Sequence, residues 1–223
     1  MYVGEKRIII TKHKKSKPSR KSFWRLNSPG FLSGSLIILI VILCSCTNNE
    51  KDFDHSNFKV DVKGTPLSPM PVRGNGDPDL SFIAPIVEGT SFDGNPVKIA
   101  PTGKPTVILF LAHWCPHCQT EVDMLGSWIK DNPIPENVRF ISVAAAIDKN
   151  RPNYPPNLWL EKSAWPIETI VDDKKNSIAE AFGLPAFPYW IILDADGTLF
   201  DRFSGSLTTA QFVDLIKFLS GDT

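Results

Sequence analysis

Residues 106–122 read TVILFLAHWCPHCQTEV and join an apolar run to a pair of cysteines. The run at 106–112 is continuous and rich in aliphatic and β-branched side chains, as expected for a strand buried on both faces. After it, Cys118, Val122 and Leu125 recur at the spacing of one helix face. The sequence therefore predicts that the cysteine pair lies between a buried strand and the start of a helix.

The two cysteines have the spacing of a redox pair. Cys115 falls at the predicted helix N-terminus, where unpaired N–H groups and the positive end of the helix dipole favour a thiolate. Pro116 suits the first helical position, and His117 can offer a hydrogen bond or a positive charge to the sulfur. Cys118, one turn later, can attack a mixed disulfide and release the partner. We expect Cys115 to be an exposed nucleophile and Cys118 a buried resolving cysteine.

Charge is distributed unevenly along the 223 residues, although the formal net charge is zero. Residues 1–46 contain nine of the 24 basic residues but only one of the 24 acidic residues. The remainder therefore carries 15 basic and 23 acidic side chains, a net charge of −8. An acidic body of this kind argues against a nucleic-acid partner.

The first 46 residues have the layout of an export signal. A basic segment precedes FLSGSLIILIVILCSC at 31–46, an apolar run of 16 residues, whereas a membrane span needs about 20. The run ends at a sequence similar to a bacterial lipobox, in which Cys46 would carry the lipid. The alternative is an uncleaved anchor helix. Both interpretations place the rest of the chain outside the cytoplasm, attached to a membrane, where a close cysteine pair has a structural or a redox role.

The remaining sequence divides into a linker and one domain. Residues 47–79 are rich in Pro, Gly, Asn and Asp, which predicts a disordered linker. From residue 80 to 223, strand–helix–strand and then strand–turn–strand–helix predict an α/β domain with a mixed sheet and helices on both faces. The predicted strands are 81–87, 96–100, 106–112, 138–146, 166–172, 189–197 and 198–205. The predicted helices are 118–131, 157–163, 175–183 and 208–220, the last with Thr208 as N-cap.

Three motifs, in order, carry a family resemblance. They are FIAPIVEGTSFDGNPV at 82–97, GKPTVILFLAHWCPHC at 103–118 and GLPAFPYWIILDADGTL at 183–199. On these motifs residues 80–223 resemble the TlpA/ResA-like thiol–disulfide oxidoreductases of the thioredoxin superfamily. The resemblance implies a thioredoxin-like fold and exchange of disulfides with client proteins through the CPHC dithiol. It implies no cofactor, and it implies a membrane or periplasmic redox partner protein that supplies or removes electrons.

The resemblance also assigns roles to residues around the cysteines. Phe187-Pro188 occupies the position of the family's cis-proline loop, which lies against the cysteine pair and contacts substrate backbone. Trp114 occupies the position of the flat aromatic side chain beside the reactive sulfur. Glu121 matches the acid of C-x-x-C-x-x-E, which relays the proton of the second cysteine. One position departs from thioredoxin itself: Leu109 stands where thioredoxin has a buried aspartate.

Other interpretations of the same residues remain open. His113, which we expect to be a solvated neighbour of the site, adds to the soft donors of HWCPHC, so a copper(I)-binding or metallochaperone module is an alternative. A peroxiredoxin-like antioxidant protein is another, although Ala112 and Ile108 do not match the peroxidase pattern. The redox direction is also open, because Pro-His between the cysteines favours an oxidant and the family resemblance favours a reductant. The insertion at 147–166 is a candidate for docking a client through its aromatic side chains Tyr154, Trp159 and Trp165.

Overall fold

The computed structural model describes residues 53–71 and 76–221. The predicted signal or anchor at 1–46, with the predicted lipidation site Cys46, lies outside these residues. Within the described part, no helix is both long enough and apolar enough to span a bilayer.

Eight strands and four helices form the described domain. The strands are β1 Asp61–Lys63, β2 Ile86–Thr90, β3 Pro96–Ile99, β4 Thr106–Leu111, β5 Arg139–Ala144, β6 Thr169–Val171, β7 Tyr189–Leu193 and β8 Leu199–Ser204. The helices are α1 Pro116–Asp131, α2 Pro156–Lys162, α3 Ser177–Ala181 and α4 Thr209–Ser220. The strands and helices predicted from residue 96 onward are present, with boundaries that shift by a few residues. The strand predicted at 81–87 overlaps β2 only at residues 86–87.

The central sheet is mixed, as predicted. Its strand order is β6-β5-β4-β7-β8; β4 runs parallel to β5 and antiparallel to β7. All six residues of β4 are buried. Val107 and Leu109 pack with α1, α2 and α4, whereas Ile108 and Phe110 pack with α3 and the smaller sheet. Because successive side chains of a strand point to opposite faces, the central strand has helices on both sides. This confirms the predicted thioredoxin-like α/β architecture.

Part of the predicted linker is folded, which corrects the expectation of a disordered segment over 47–79. Strand β1 pairs antiparallel with β2 in a three-stranded sheet of order β1-β2-β3. Leu67 is buried, and its N–H donates to the carbonyl of Ala181 at 2.9 Å. Val62 and Met70 also pack against the core. The Pro- and Gly-rich composition predicted disorder, but a few spaced apolar side chains are sufficient to attach this segment to the domain.

A buried ionic group holds the end of this segment. The side chain of Arg202 on β8 is fully buried and contacts Asp77 and Asp79, donating from Nη2 to Asp77 Oδ1 at 2.8 Å and to Asp79 Oδ2 at 3.2 Å. Its Nη1 donates to the Ser68 carbonyl at 2.8 Å. We call these four residues the Arg202 cluster. Hydrogen bonding to Arg202 holds the pKa of Asp77 below its ordinary value.

Two helix ends confirm local predictions. Thr208 is the N-cap of α4 and forms a capping box, in which its side chain accepts from the Gln211 N–H and the Gln211 side chain accepts from the Thr208 N–H. Gly183 follows α3 with φ +64°. A Cβ at this position would lie 2.1 Å from the Ser68 carbonyl oxygen, so the close approach of two backbones requires glycine.

Candidate functional site

The cysteine pair lies where β4 delivers the chain to the first turn of α1. Cys115 is the N-cap residue, its N–H donates to the Ala112 carbonyl at 3.0 Å, and Pro116 is the first helical residue as predicted. Cys118 lies one turn later, and its Sγ accepts the N–H of Ala112 at 3.5 Å. Both cysteines are free thiols. The predicted strand–CPHC–helix arrangement is therefore present.

The accessibility of the two sulfurs differs from the prediction in one respect. Cys118 is fully buried, as expected, and burial raises the pKa of its thiol far above the ordinary value. Cys115, however, is also buried, with 7% of its surface exposed. Its Sγ lies 3.8 Å from the carbonyl oxygen of Phe187, which covers it from the opposite loop. Cys115 is thus the more accessible of the two sulfurs without being an exposed side chain.

The loop that covers Cys115 contains the proline singled out in the sequence. The Phe187-Pro188 peptide bond is cis, as the resemblance implied. Pro188 is buried and directly precedes β7, whose antiparallel pairing with β4 places the loop over the cysteine pair. Phe187 is half-buried, and its ring meets that of Trp114 edge-on, with centroids 5.9 Å apart at 80°. Trp114, Phe187 and Pro188 therefore surround the accessible side of Cys115.

Glu121 is a buried carboxyl group on the same helix as Cys118. Its Oε1 accepts the N–H of Leu207 at 3.0 Å, whereas Oε2 is buried and has no hydrogen-bond partner. Burial raises the pKa of Glu121, opposed by the Leu207 N–H, the Ser206 hydroxyl and His117. The charge of Glu121 in turn contributes to the raised pKa of Cys118. Glu121 is completely buried, and residues 206–207 contact its carboxyl group.

His117 lies between the cysteines, and its side chain is exposed to solvent, as is that of Pro116. In the described structure the electrostatic influence of His117 on the site is its lowering effect on the pKa of Glu121. Within residues 53–71 and 76–221, His117 does not form the predicted hydrogen bond to a cysteine sulfur. The sulfurs of Cys115 and Cys118 bond the Phe187 carbonyl and the Ala112 N–H instead. His117 thus acts on the site through charge.

His113 corrects an expectation, because it is buried with 1% exposure instead of solvated. Its Nδ1 bonds the Pro152 carbonyl at 2.6 Å, and its Nε2 accepts the N–H of Asp148 at 3.2 Å. Burial lowers the pKa of His113, which favours the neutral ring that this pair of bonds requires. The insertion folds over this side chain and removes it from solvent. Both ring nitrogens are therefore engaged with backbone and do not face the cysteines.

The insertion contributes Arg151, a residue that the sequence analysis missed. Its guanidinium Cζ lies 4.2 Å from the ring centroid of Trp114, a cation–π contact. The indole N–H of Trp114 donates to the Ala146 carbonyl at 2.8 Å, which fixes the ring. No spacing signal links Arg151 to Trp114, because the two lie on different loops joined only by the fold.

The aromatic side chains expected to dock a client are divided between core and surface. Trp159 is buried on α2, and Trp165 packs against the same core, where its indole N–H donates to the Ser142 hydroxyl at 3.0 Å. Tyr154 is exposed, and its hydroxyl donates to the Phe53 carbonyl at 3.1 Å. Trp159 is buried and anchors the insertion, which corrects that part of the prediction, whereas Trp165 is half-buried against the same core.

Across residues 53–71 and 76–221, no group of three or more His, Cys, Asp or Glu side chains is arranged to hold a metal ion. The site therefore consists of two sulfurs, one buried carboxyl and an aromatic surface.

A family model described as a thioredoxin-like domain matches residues 92–220, more than half of the chain. The chain belongs to this family. The superfamily named by the sequence resemblance is thereby confirmed. Among curated proteins, the soluble secreted antigen MPT53 of Mycobacterium tuberculosis is 28% identical over 153 residues, which cover 66% of this chain and 78% of the relative. The thiol:disulfide interchange protein DsbE of Haemophilus influenzae is 25% identical over 115 residues, covering 52% of this chain and 59% of the relative.

A solved structure supports the fold independently. The thiol:disulfide interchange protein of the thioredoxin family from Chlorobium tepidum superposes with a TM-score of 0.52 at 20% identity, covering 65% of this chain and 99% of that one. At this identity the similarity establishes the shared fold alone. The relatives named for disulfide interchange agree with the TlpA/ResA-like resemblance drawn from the three motifs.

Proposed function

We propose that this chain is an extracytoplasmic, membrane-tethered thiol–disulfide oxidoreductase that exchanges disulfides with client proteins through Cys115 and Cys118. One observation carries the proposal: two free thiols lie one helical turn apart at the N-terminus of α1, the first with 7% of its residue surface exposed and the second fully buried. A structural disulfide needs no such asymmetry, whereas a nucleophile and its resolving partner do. The name of the Haemophilus influenzae relative, a thiol:disulfide interchange protein, supports the same activity.

In the reductive direction, the thiolate of Cys115 attacks one sulfur of a client disulfide. A Cys115–client S–S bond forms, and the other client sulfur leaves as a thiolate. Cys118 then loses its proton and attacks Cys115, so that the Cys115–Cys118 bond forms and the second client thiolate departs. Two electrons pass from the dithiol to the client. The oxidative direction is the reverse, with a redox partner protein restoring the starting state, and no organic cofactor is required.

Glu121 is positioned to serve the second step. Cys118 is buried and its pKa is raised, so its deprotonation needs a base inside the domain. Glu121 is close enough to influence the Cys118 titration and has one oxygen free of hydrogen bonds. Its raised pKa brings it toward the range in which a carboxyl group exchanges protons near neutral pH. We assign it the role of proton relay for Cys118.

The surface around Cys115 is assigned to client binding. Trp114 and Phe187 form an edge-to-face aromatic pair next to the cysteine loop, and the cis peptide bond before Pro188 sets the direction of the loop that carries Phe187. The Phe187 carbonyl at 3.8 Å from Cys115 is placed where client backbone would approach the sulfur. Clients are therefore proteins that present a cysteine or disulfide in an accessible segment.

The location rests on the first 46 residues and on one relative. The basic segment, the apolar run and Cys46 have the layout of a lipoprotein export signal, with an uncleaved anchor as the alternative. The relative from Mycobacterium tuberculosis is named as a secreted protein. Lipidation of Cys46 would add a fatty-acid mass to the N-terminal peptide of the purified chain, and an uncleaved anchor would leave that peptide unmodified.

The exchange mechanism is tested by trapping. In the full chain, Cys118→Ser should accumulate a Cys115–client mixed disulfide, because the resolving sulfur is gone. Cys115→Ser should accumulate none. Non-reducing electrophoresis, followed by differential alkylation and peptide mass spectrometry, assigns the bonds to positions and separates them from Cys44 and Cys46. Equal trapping by both variants, or by neither, contradicts the proposal.

The redox direction is tested by equilibrating the Cys115/Cys118 couple with glutathione. A potential near about −120 mV identifies an oxidant or isomerase, and one near about −270 mV identifies a reductant. The same mass-spectrometric assignment of the two cysteines serves as the readout.

A further inference from the structure

A cleft of about 780 Å³ opens beside Trp114. Besides Trp114, its walls come from three segments: residues 53–55, Ala146 with the first half of the insertion up to Tyr154, and the loop before α3. Small-molecule and peptide sites have volumes of about 300–1,000 Å³, so this cleft is large enough for several residues of an extended chain. Trp114, the residue before Cys115, forms part of its lining, and the exchange steps described above do not use the cleft.

The charge of this cleft is opposite in sign to that of the body around it. Three basic side chains line it, Lys149, Arg151 and Lys174, against two acidic ones, Asp54 and Asp148. Both acids are already committed locally: Asp54 accepts from the Ser56 N–H, and Asp148 from the Asn150 N–H. Residues 47–223 carry a net charge of −8, so a net positive patch here is a local departure.

The three cations are accessible to a partner, although Lys174 also acts electrostatically on Asp54 across the cleft. All three are exposed, and none forms an ion pair with an acid of residues 53–71 or 76–221. Arg151 lies over the Trp114 ring, with its Cζ 4.2 Å from the ring centroid. The loop that carries Arg151 is attached to the buried ring of His113, whose Nε2 accepts the Asp148 N–H and whose Nδ1 bonds the Pro152 carbonyl. The guanidinium of Arg151 therefore has a fixed position against Trp114, whereas Lys149 and Lys174 are exposed side chains of the same lining. A guanidinium held in this way still has its N–H groups available for a carboxylate.

We propose that this cleft is a specificity site that selects client segments with Asp or Glu side chains near the reactive cysteine. The inference rests on the proposed disulfide exchange and adds the class of client. Electrostatic attraction to such a segment acts mainly on the encounter rate and weakens as salt screens the charges. An acidic client segment is otherwise disfavoured by the negative body, so the patch is needed for its approach.

The test uses the reduced full chain and three eight-residue peptides, each with a single cysteine activated as a mixed disulfide with uncharged 2-thiopyridine. The peptides differ only in having four acidic, four basic or four neutral polar residues around the cysteine. Cys115 attacks the peptide sulfur, the bond to thiopyridine breaks, and release of pyridine-2-thione is followed by absorbance. The rate that remains with Cys115→Ser is subtracted to remove other thiols.

We expect the acidic peptide to react about tenfold faster than the basic one at low salt, with the ratio falling as salt rises. The cleft variant Lys149→Gln/Arg151→Gln/Lys174→Gln should bring the ratio close to one. A matched control, Lys130→Gln/Lys162→Gln/Lys217→Gln, removes the same charge from exposed lysines outside the cleft and should keep most of the preference. The variant Lys149→Gln/Lys174→Gln, which retains the Arg151 contact with Trp114, should give an intermediate ratio.

Two results would overturn the inference while leaving disulfide exchange intact: equal rates for the acidic and basic peptides, or an equal loss of preference in the cleft and control variants. A different result would overturn both, namely the absence of Cys115-dependent release with every peptide. Reaction of each variant with dithiothreitol after oxidation provides the check that the cysteine pair itself is unchanged.

Discussion

Glu121 and the Arg202 cluster both place charged groups in the interior, but the two regions treat them in opposite ways. Arg202 donates to two carboxylates and a backbone carbonyl, so its charge is compensated within the cluster. Glu121 accepts a single backbone N–H and leaves its second oxygen buried without a partner. The first arrangement fixes Ser68, Asp77 and Asp79 to β8, and the second leaves a carboxyl group able to take up a proton.

The difference shows that burial of a charge does not by itself identify a functional site. A satisfied buried ion pair is a structural element. Removing one partner leaves the other charge buried and uncompensated, which destabilises the fold. An unsatisfied buried group is rare in native proteins and needs an explanation, which for Glu121 is its proximity to the buried thiol of Cys118. The two regions can therefore be separated by experiment, because one should govern stability and the other rate.

The largest effect is expected at Arg202. Arg202→Met leaves Asp77 and Asp79 buried without their partner, and we expect a loss of about 3–5 kcal/mol in the free energy of unfolding, measured by urea denaturation. Arg139→Met is the control: it removes the partly exposed Arg139–Glu168 pair and should cost about 1 kcal/mol or less. Exchange activity per folded molecule should be unchanged in both. A similar cost for both variants would mean that the Arg202 cluster is not compensated as described.

The next effect is expected at Glu121 and is kinetic. Glu121→Gln removes the base that accepts the Cys118 proton, and we expect resolution of a Cys115–peptide mixed disulfide to slow by about 100-fold near neutral pH. In the wild type the rate should rise with pH through the raised pKa of Glu121, and this step should be absent in the variant. Single-turnover release of the peptide gives both quantities.

Asp123→Asn is the matched control for this prediction, because Asp123 is an exposed acid two positions away on the same helix. It should resolve at the wild-type rate. Because Gln places no charge in the interior, Glu121→Gln should be at least as stable as the wild type at neutral pH. Unaltered resolution by Glu121→Gln would show that water or the client, and not this carboxyl group, takes the proton.

The sequence predicted the features that depend on neighbours along the chain. The β4 run, the CPHC turn with Pro116 at the first helical position, and the Thr208 cap each follow from local periodicity or capping rules, and each is present. The placement of Trp114, Phe187 and Pro188 near Cys115 followed from the family resemblance, and the structure brings them together.

The features that were missed depend on contacts between distant segments. His113 appeared solvated because its neighbours in sequence are those of an exposed turn, but residues from the insertion 35–39 positions later enclose it. Arg202 lies beside Asp201 in a strand with exposed residues, and its burial depends on Asp77, 125 positions earlier. Composition alone could not show that a Pro- and Gly-rich segment folds back to provide these contacts.

The pH dependence of the free energy of unfolding also distinguishes the two regions. The expected changes are smaller than the effects above, but they have opposite signs for Glu121 and the Arg202 cluster. The pKa of Glu121 is raised by burial above its ordinary value of 4.5, so its contribution to stability is full below pH 4.5 and is lost as pH rises through the folded-state value. The pKa of Asp77 is lowered by Arg202 below 3.8, so its contribution is present above pH 3.8 and is lost as pH falls through the folded-state value.

Burial also raises the pKa of Asp172 to about 6, so its titration changes stability over the same pH range as that of Glu121. Because Asp172 is present in the wild type and in every variant, its contribution cancels when the free energies of unfolding are subtracted. As pH falls from 7 to 4.5, the wild type should gain stability relative to Glu121→Gln. As pH falls toward 3, the wild type should lose its advantage over Arg202→Met, because protonation removes the uncompensated charges that penalise the variant. Urea unfolding at pH 3, 4.5 and 7 measures both differences. If both followed the same direction with pH, the contrast between a satisfied and an unsatisfied buried charge would be wrong.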